Sequence, residues 1–235
     1  MPDVPAGPGR AILGGSFNPL HIGHLRFALE TLEALGALAD GVDLTPTAVP
    51  PHKNAGNLLP FDIRAAMIEA VAASMPGLRC NRMEAGREGP SYTWDMLSAA
   101  RAQNPGTDFY FLLGMPDFAL LPTWFRGLEL PRLCHFVVSP RAGMGAGDFA
   151  VTIRHLWPQA RECPPLVADG QCMALPGGGR AHFLPLSVLE ISASDIRRRW
   201  LAGRSITCLV PPSVERLLER ERDIARNHWA GETED

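Results

Sequence analysis

The sequence has no run approaching the roughly 18 uninterrupted apolar residues of a membrane-spanning helix, so no membrane span is expected. Its start, Met1-Pro-Asp-Val-Pro-Ala-Gly-Pro-Gly9, has neither the basic residues nor the apolar stretch of a secretory signal; it predicts a short disordered lead over residues 1–9 and no export. No two cysteines stand in a C-x-x-C pair. The five present (Cys80, Cys134, Cys163, Cys172, Cys208) are odd in number and widely spaced, which argues against a disulfide framework or a zinc site and suits a reducing cytoplasm. A basic excess is also missing. The formal charge of −3 gives no long-range attraction to nucleic acid, so any phosphate is handled locally, by cations whose positions matter more than their total.

What is present is enough to fold. With 46% apolar and 20% charged residues, 235 residues can bury a substantial core as one large domain or two small ones. Short apolar runs with little alternation, Ala11–Leu13, Phe109–Leu113 and His135–Val138, read as strands covered on both faces. Helical spacing occupies about Gly23–Leu35, Phe61–Ser74, Thr93–Gln103 and Val214–Asn227. Strand then helix, repeated, predicts an α/β fold: a doubly wound, Rossmann-like parallel sheet with helices on both faces, in a single domain with a small C-terminal helical part. Leu44–Val49 is a weaker strand, placed at an edge or irregular because Pro46 has no N–H to donate. Residues 139–180, rich in proline and glycine, predict loops around a short helix near His155. No internal repeat or linker interrupts the chain, which reads as a domain over 10–227 and a tail over 228–235.

Chemistry first shows in Gly14-Gly-Ser-Phe-Asn-Pro-Leu-His-Ile-Gly-His24. A strand running through glycines into a helix that begins near His21 places backbone N–H groups and a positive helix end at the strand's carboxyl edge, where phosphate binds. The stretch lacks both the G-x-G-x-x-G of dinucleotide folds and the G-K-[ST] of a P-loop, and the glycines alone would also suit a plain tight turn. As zinc ligands His21 and His24 would need a third partner, and no H-E-x-x-H or nearby cysteine supplies one, so no metal site is expected. A lone histidine would read as helix-surface filler. Two flanking a glycine at such a turn read instead as imidazole donors that hold phosphate oxygens and stabilise charge during transfer.

This stretch resembles the signature of the nucleotidyltransferase superfamily, whose H-x-G-H motif is shared with class I aminoacyl-tRNA synthetases. The chain has no K-M-S-K-S-type loop or tRNA-binding region, which sets the synthetases aside. Late in the sequence, Ile191-Ser-Ala-Ser-Asp-Ile-Arg197 is similar to the I-S-x-[ST]-x-x-R element of small-molecule adenylyltransferases, which opens a helix and contacts the triphosphate. Ser192 and Ser194 suit a helix cap, and Arg197 about one turn on supplies a permanently charged fork for phosphate oxygens.

Three further stretches resemble the bacterial nicotinate-nucleotide adenylyltransferases, extending the similarity over about residues 10–215. Val49-Pro-Pro-His-Lys53 is similar to the family's V-P-x-x-P-P-H-[KR], where Lys53 would reach a phosphate. Glu84-x-x-Arg87-x-Gly-Pro-Ser-Tyr92-Thr93 with Asp95-Met-Leu97 is similar to R-x-G-P-S-Y-T-x-D-T-L, and implies that Tyr92 and Thr93 border the nicotinate, Thr93 hydrogen-bonding its carboxylate. Gly114 and Asp117 correspond to the family's G-x-D, here separated by Met115-Pro116, with Asp117 at the adenosine ribose; Trp124 corresponds to the tryptophan that stacks on nicotinate. Ser16 and Ser194 stand where threonine is common, and Asn18, where aspartate is common, excludes a carboxylate role at that position.

The resemblance implies attack of the 5′-phosphate of nicotinate mononucleotide on the α-phosphorus of ATP, giving nicotinate adenine dinucleotide and pyrophosphate in NAD biosynthesis. His21, His24 and Arg197 would be catalytic. Gly14, Gly15, Ser16, Phe17, Lys53, Gly114, Asp117, Ile191, Ser192 and Ser194 would hold ATP and its phosphates. Mg²⁺ would enter with ATP. The expected partners are the two small-molecule substrates, with no nucleic acid or membrane, in the cytoplasm; a homo-oligomer is compatible with the sequence. The alternatives are an adenylyltransferase for another acceptor, such as nicotinamide mononucleotide, and a nucleotide-binding regulator without catalysis.

Overall fold

The structure, a computed structural model, describes residues 8–50, 57–87 and 89–230; Lys53 and the tail beyond residue 230 lie outside them. In chain order the elements are β1 (Gly9–Gly15), α1 (Ile22–Leu35), β2 (Ala39–Pro46), α2 (Phe61–Ala72), β3 (Leu78–Cys80), α3 (Thr93–Gln103), β4 (Phe109–Gly114), α4 (Met115–Ala119) and β5 (His135–Ser139). There follow α5 (Ala146–Leu156), β6 (Arg161–Glu162), β7 (Gln171–Ala174), β8 (Arg180–Phe183), α6 (Ala193–Leu201), α7 (Pro212–Arg220) and α8 (Arg222–Trp229). The strands form one sheet in the order β3-β2-β1-β4-β5-β8-β7-β6. The pairs from β3 to β8 are parallel, and the pairs β8–β7 and β7–β6 are antiparallel. No helix among the described residues is long and apolar enough to cross a membrane.

Alternation along each strand divides the core between the two faces. On β4, Tyr110 and Leu112 join Ala11 and Leu13 of β1 in one cluster, packed by α1, α2, α7 and α8. Phe109, Phe111 and Leu113 point the other way with Ile12, against α3, α4 and α5. The sheet is therefore buried on both faces, as its continuous apolar runs require. Connections leave β1 for β2 on one side and return to β4 on the other, so the order reverses between β1 and β4 and a crevice opens above their carboxyl ends.

Several expectations need correction. The strand around Pro46 is neither irregular nor an edge: β2 lies between β1 and β3. Proline is tolerated because it is the last residue of β2, opposite Gly15, and Thr47 N–H makes the next bond, to Gly15 O at 2.9 Å. Residues 139–180 hold the short helix expected there, α5, but also two strands, β6 and β7, that pair antiparallel onto β8. Their hairpin brings Cys163 and Cys172 to a Cα separation of 5.1 Å and a disulfide, against the expectation of none; a spacing of 9 residues hides what antiparallel pairing brings together. The apolar pattern over 214–227 is two helices, α7 and α8, and the turn at Glu221 between them directs Trp229 into the core. The folded elements run from Gly9 to Trp229, slightly outside the 10–227 span read from the sequence.

Candidate active site

Between β1 and α1 the chain makes a tight turn whose geometry is set by ring packing. Phe17 takes a left-handed φ of +46° and is buried, its ring closing on Gly15, where a Cβ would lie 3.3 Å from it. Phe17 also meets the edge of the His24 ring, 4.9 Å between centroids. It thus supports the turn from beneath and its side chain does not line the cleft, whereas Gly14, Gly15 and Ser16 do.

His21 is the residue before α1 and His24 lies in its first turn. Their rings stack at 3.6 Å and 24°, and His21 N–H donates to His24 Nδ1 at 3.2 Å. That bond makes His24 Nδ1 an acceptor, which places its proton on Nε2 in the neutral ring. Gly23 between them leaves room for the stack, since a Cβ there would lie 3.1 Å from His21 Nδ1. Burial, helped by the nearby Arg141 charge, pushes the His21 pKa down to about 3, so this ring is a neutral donor and acceptor rather than a cation. Its Nδ1 has no protein partner.

The second motif begins α6 beside this turn. Ser192 caps the helix, its Oγ accepting from Asp195 N–H at 3.4 Å. Ser194 does not cap; its Oγ accepts from Arg197 Nη2 at 3.0 Å. Arg197 is buried, and its Nη1 donates to Asn18 O at 2.6 Å across 179 residues of sequence. Asn18, three residues before His21, is a hub: its amide donates to Asn57 O at 2.8 Å and accepts from Leu59 N–H at 3.1 Å and the Trp229 indole N–H at 3.2 Å. One residue thus joins both motifs and α8.

Across the crevice, Thr93 opens α3 with Tyr92 as the residue before it, and both line the cleft, which brings the positive end of that helix to its wall. Trp124 packs edge-on to Phe111 at 6.4 Å between centroids, and Phe125 leans on Tyr92 at 4.8 Å. Gly114 precedes α4, and Asp117 sits in that helix's first turn; both line the cleft, as do Ile191, Ser192 and Ser194. The cleft encloses about 960 Å³. Every described residue expected at the site lines it except Phe17.

Four residues to which the sequence assigned no role at the site also contribute. Arg141, two residues past the end of β5, lays its side chain over Gly114, where a Cβ would lie 3.3 Å away, and its charge acts on His21. A basic residue just beyond the carboxyl end of an apolar strand was the available signal. Arg64 of α2 is buried with no carboxylate; its Nε donates to Leu59 O at 2.8 Å and its Nη1 to Ser16 O and Thr47 O at 2.9 and 2.8 Å. Burial lowers its pKa to about 10, which leaves it charged beneath the turn. Thr45 and Glu84, both almost wholly buried in the cleft wall, keep Oγ1 and Oε2 without a protein partner.

Residues 12–199 match the family described as Cytidylyltransferase-like. A curated protein of Pelobacter propionicus named probable nicotinate-nucleotide adenylyltransferase is 36% identical over 215 residues, covering 90% of this chain and 95% of that one. A protein of the same name from Pseudomonas syringae pv. tomato is 37% identical over 204 residues, covering 86% and 87%. Among solved structures, the Plasmodium falciparum nicotinic acid mononucleotide adenylyltransferase complexed with NaAD shares the fold, with a TM-score of 0.70 over 92% of this chain and 97% of that one at 16% identity.

Proposed function

The chain belongs to the nicotinate-nucleotide adenylyltransferases of the cytidylyltransferase-like family, and from that membership and the cleft's geometry we propose how it joins ATP to nicotinate mononucleotide. An oxygen of the mononucleotide's 5′-phosphate forms a bond to the α-phosphorus of ATP. The bond from that phosphorus to the bridging oxygen breaks, and pyrophosphate leaves with the electron pair. The attacking phosphate is mostly dianionic at neutral pH, its second pKa being about 6, so neither an enzyme nucleophile nor a general base is needed. Catalysis is the placing of two polyanions in line and the stabilisation of the charge that builds between them.

The observation that carries this reading is the 2.6 Å bond from Arg197 to the carbonyl of Asn18, which puts the guanidinium of α6 beside the turn that holds His21 and His24. Gly14–Ser16 and Ser192 offer donors to the triphosphate, with His24 Nε2–H and the charges of Arg197 and Arg141 at the transferring phosphoryl group; Lys53 adds a cation from outside the described residues. Phosphate charge brought against His21 favours its protonated form, so its basicity rises when substrate arrives. Asp117 takes the adenosine ribose. Trp124 stacks on the pyridinium, an attraction worth about 1–2 kcal/mol in a desolvated pocket, and the amino end of α3 with Thr93 receives the nicotinate carboxylate.

Mg²⁺ enters as part of the ATP substrate. As a partner of ATP the cation would be held by triphosphate oxygens and water, as Mg²⁺ tends to be. When bound, it neutralises phosphate charge. All the groups used come from one copy of one catalytic domain, residues 10–227, and the reaction draws on the ATP of the cytoplasm with no nucleic acid or membrane.

Pyrophosphate release and dinucleotide formation, measured with ATP, Mg²⁺ and either nicotinate or nicotinamide mononucleotide, test the reading. Equimolar pyrophosphate and nicotinate adenine dinucleotide, formed faster than the nicotinamide product, are expected. ATP binding without pyrophosphate release would instead favour a regulator, and preference for nicotinamide mononucleotide would change the acceptor.

A further inference from the structure

β2 and β3 pair in parallel with Leu44 opposite Cys80, so Thr45 and the turn that follows β3 stand together at the carboxyl edge of the sheet. Asn81 N–H donates to Leu44 O at 3.0 Å and Met83 N–H to Asn81 Oδ1 at 3.0 Å, which fixes the turn that carries Glu84. Thr45 lies opposite Gly14, whose side-chain direction is toward Phe111 at 3.5 Å. It therefore shares the face of α3 and Trp124, between the phosphate turn and the start of α3.

Glu84 and Thr45 are each 2% exposed and line the cleft. Glu84 Oε1 accepts from Arg87 Nη1 at 2.9 Å, and Arg87 reaches on to Asp95 at 3.5 Å, but Glu84 Oε2 and Thr45 Oγ1 have no partner among the described residues. A buried carboxylate oxygen without a donor is costly, and such atoms are rare unless something completes them. What completes Oε2 must donate a hydrogen bond. Within the acceptor mononucleotide both ends are anions, which a carboxylate repels, and the hydroxyl donors are on the sugar between them.

We propose that Glu84 Oε2 accepts from a ribose hydroxyl of the acceptor mononucleotide, with Thr45 Oγ1 bonding its neighbour, and that the pair selects a ribonucleotide acceptor. The inference rests on the adenylyl-transfer reading above. It assigns the two residues to the acceptor rather than to ATP, whose ribose has the same chemistry, because they stand on the side of α3 and Trp124.

The test is a substrate–variant cycle on the full chain, with ATP and nicotinate mononucleotide or its 2′-deoxy or 3′-deoxy analogue, for wild type, Glu84→Ala and Thr45→Val. Glu84→Ala should lower kcat/KM for the natural acceptor roughly 10- to 100-fold, the range for a hydrogen bond to a charged group. One deoxy analogue should lose the same factor in wild type and almost nothing further in Glu84→Ala. The penalty for 2′-deoxy-ATP should be the same in both proteins, as should the ratio of nicotinate to nicotinamide mononucleotide. Should Glu84→Ala not fold by thermal melting, Thr45→Val carries the same cycle, since it removes the neighbouring hydroxyl at nearly constant volume. Losses that multiply for both deoxy acceptors overturn the inference, as does coupling to 2′-deoxy-ATP or to the nicotinamide group. Those outcomes leave adenylyl transfer standing, whereas a wild type that releases no pyrophosphate with nicotinate mononucleotide removes both.

Discussion

His21 and His24 stand three residues apart yet are built for different tasks. His24, half-buried at the start of α1, has its tautomer fixed by the His21 N–H and offers Nε2–H as a donor; His21, buried beneath the stack, keeps an unpartnered Nδ1. Replacing His24 with Ala should lower kcat by about 10²–10³, the scale for loss of one donor to developing transition-state charge, with little change in melting temperature. Steady-state kinetics beside thermal melting check both halves of that expectation. The sequence shows the pair and its spacing because the motif is local. It does not show that one ring is neutral, since the pKa of His21 depends on burial and on Arg141, 120 positions along the chain. For the same reason Glu84, which begins the family-like stretch at 84–97, shows no role of its own in the sequence.

Among the elements, α2 reaches the site through Arg64. Its three hydrogen bonds gather Ser16 of the phosphate turn, Thr47 after β2 and Leu59 before α2, drawing three loops to one point. Arg64→Met keeps the volume and leaves three carbonyls without their donor, and should destabilise the fold by about 3 kcal/mol or more, read by urea unfolding. Loosening Ser16 should also raise KM for ATP. An unchanged unfolding midpoint would show that water replaces the guanidinium. Nothing in the local sequence marks Arg64, which stands on α2 two residues after Asp62; only tertiary packing turns it inward. Helices with clear periodicity and central strands with continuous apolar runs were legible, α3 to its end residues. β3, β6, β7 and β8 were not, because strands of 3, 2, 4 and 4 residues hold too little pattern to stand apart from loop, and their identity comes from the neighbours they pair with.

Over the whole molecule, buried histidines held neutral contribute to the response to acid. His182 on β8 is buried away from the cleft, and burial, with His135 and Arg180 beside it, lowers its pKa from 6.5 to about 4. The folded state therefore binds fewer protons than the unfolded chain between these values. Stability from this group is complete above pH 6.5, declines as pH falls toward about 4, and changes no further below that. His21 extends the same decline toward pH 3. Urea unfolding across pH 4–7 should show a shallower loss for His182→Gln than for wild type, and equal slopes would place the acid sensitivity elsewhere. The molecule's wider design is the reversal of strand order between β1 and β4, which brings the amino-terminal imidazoles and the carboxyl-terminal guanidinium to one crevice. A crystal structure with a non-hydrolysable ATP analogue tests that convergence most directly. The account predicts the phosphates between the His21–His24 stack and Arg197, at the turn after β1; phosphates bound away from these groups, with the crevice empty, would contradict it.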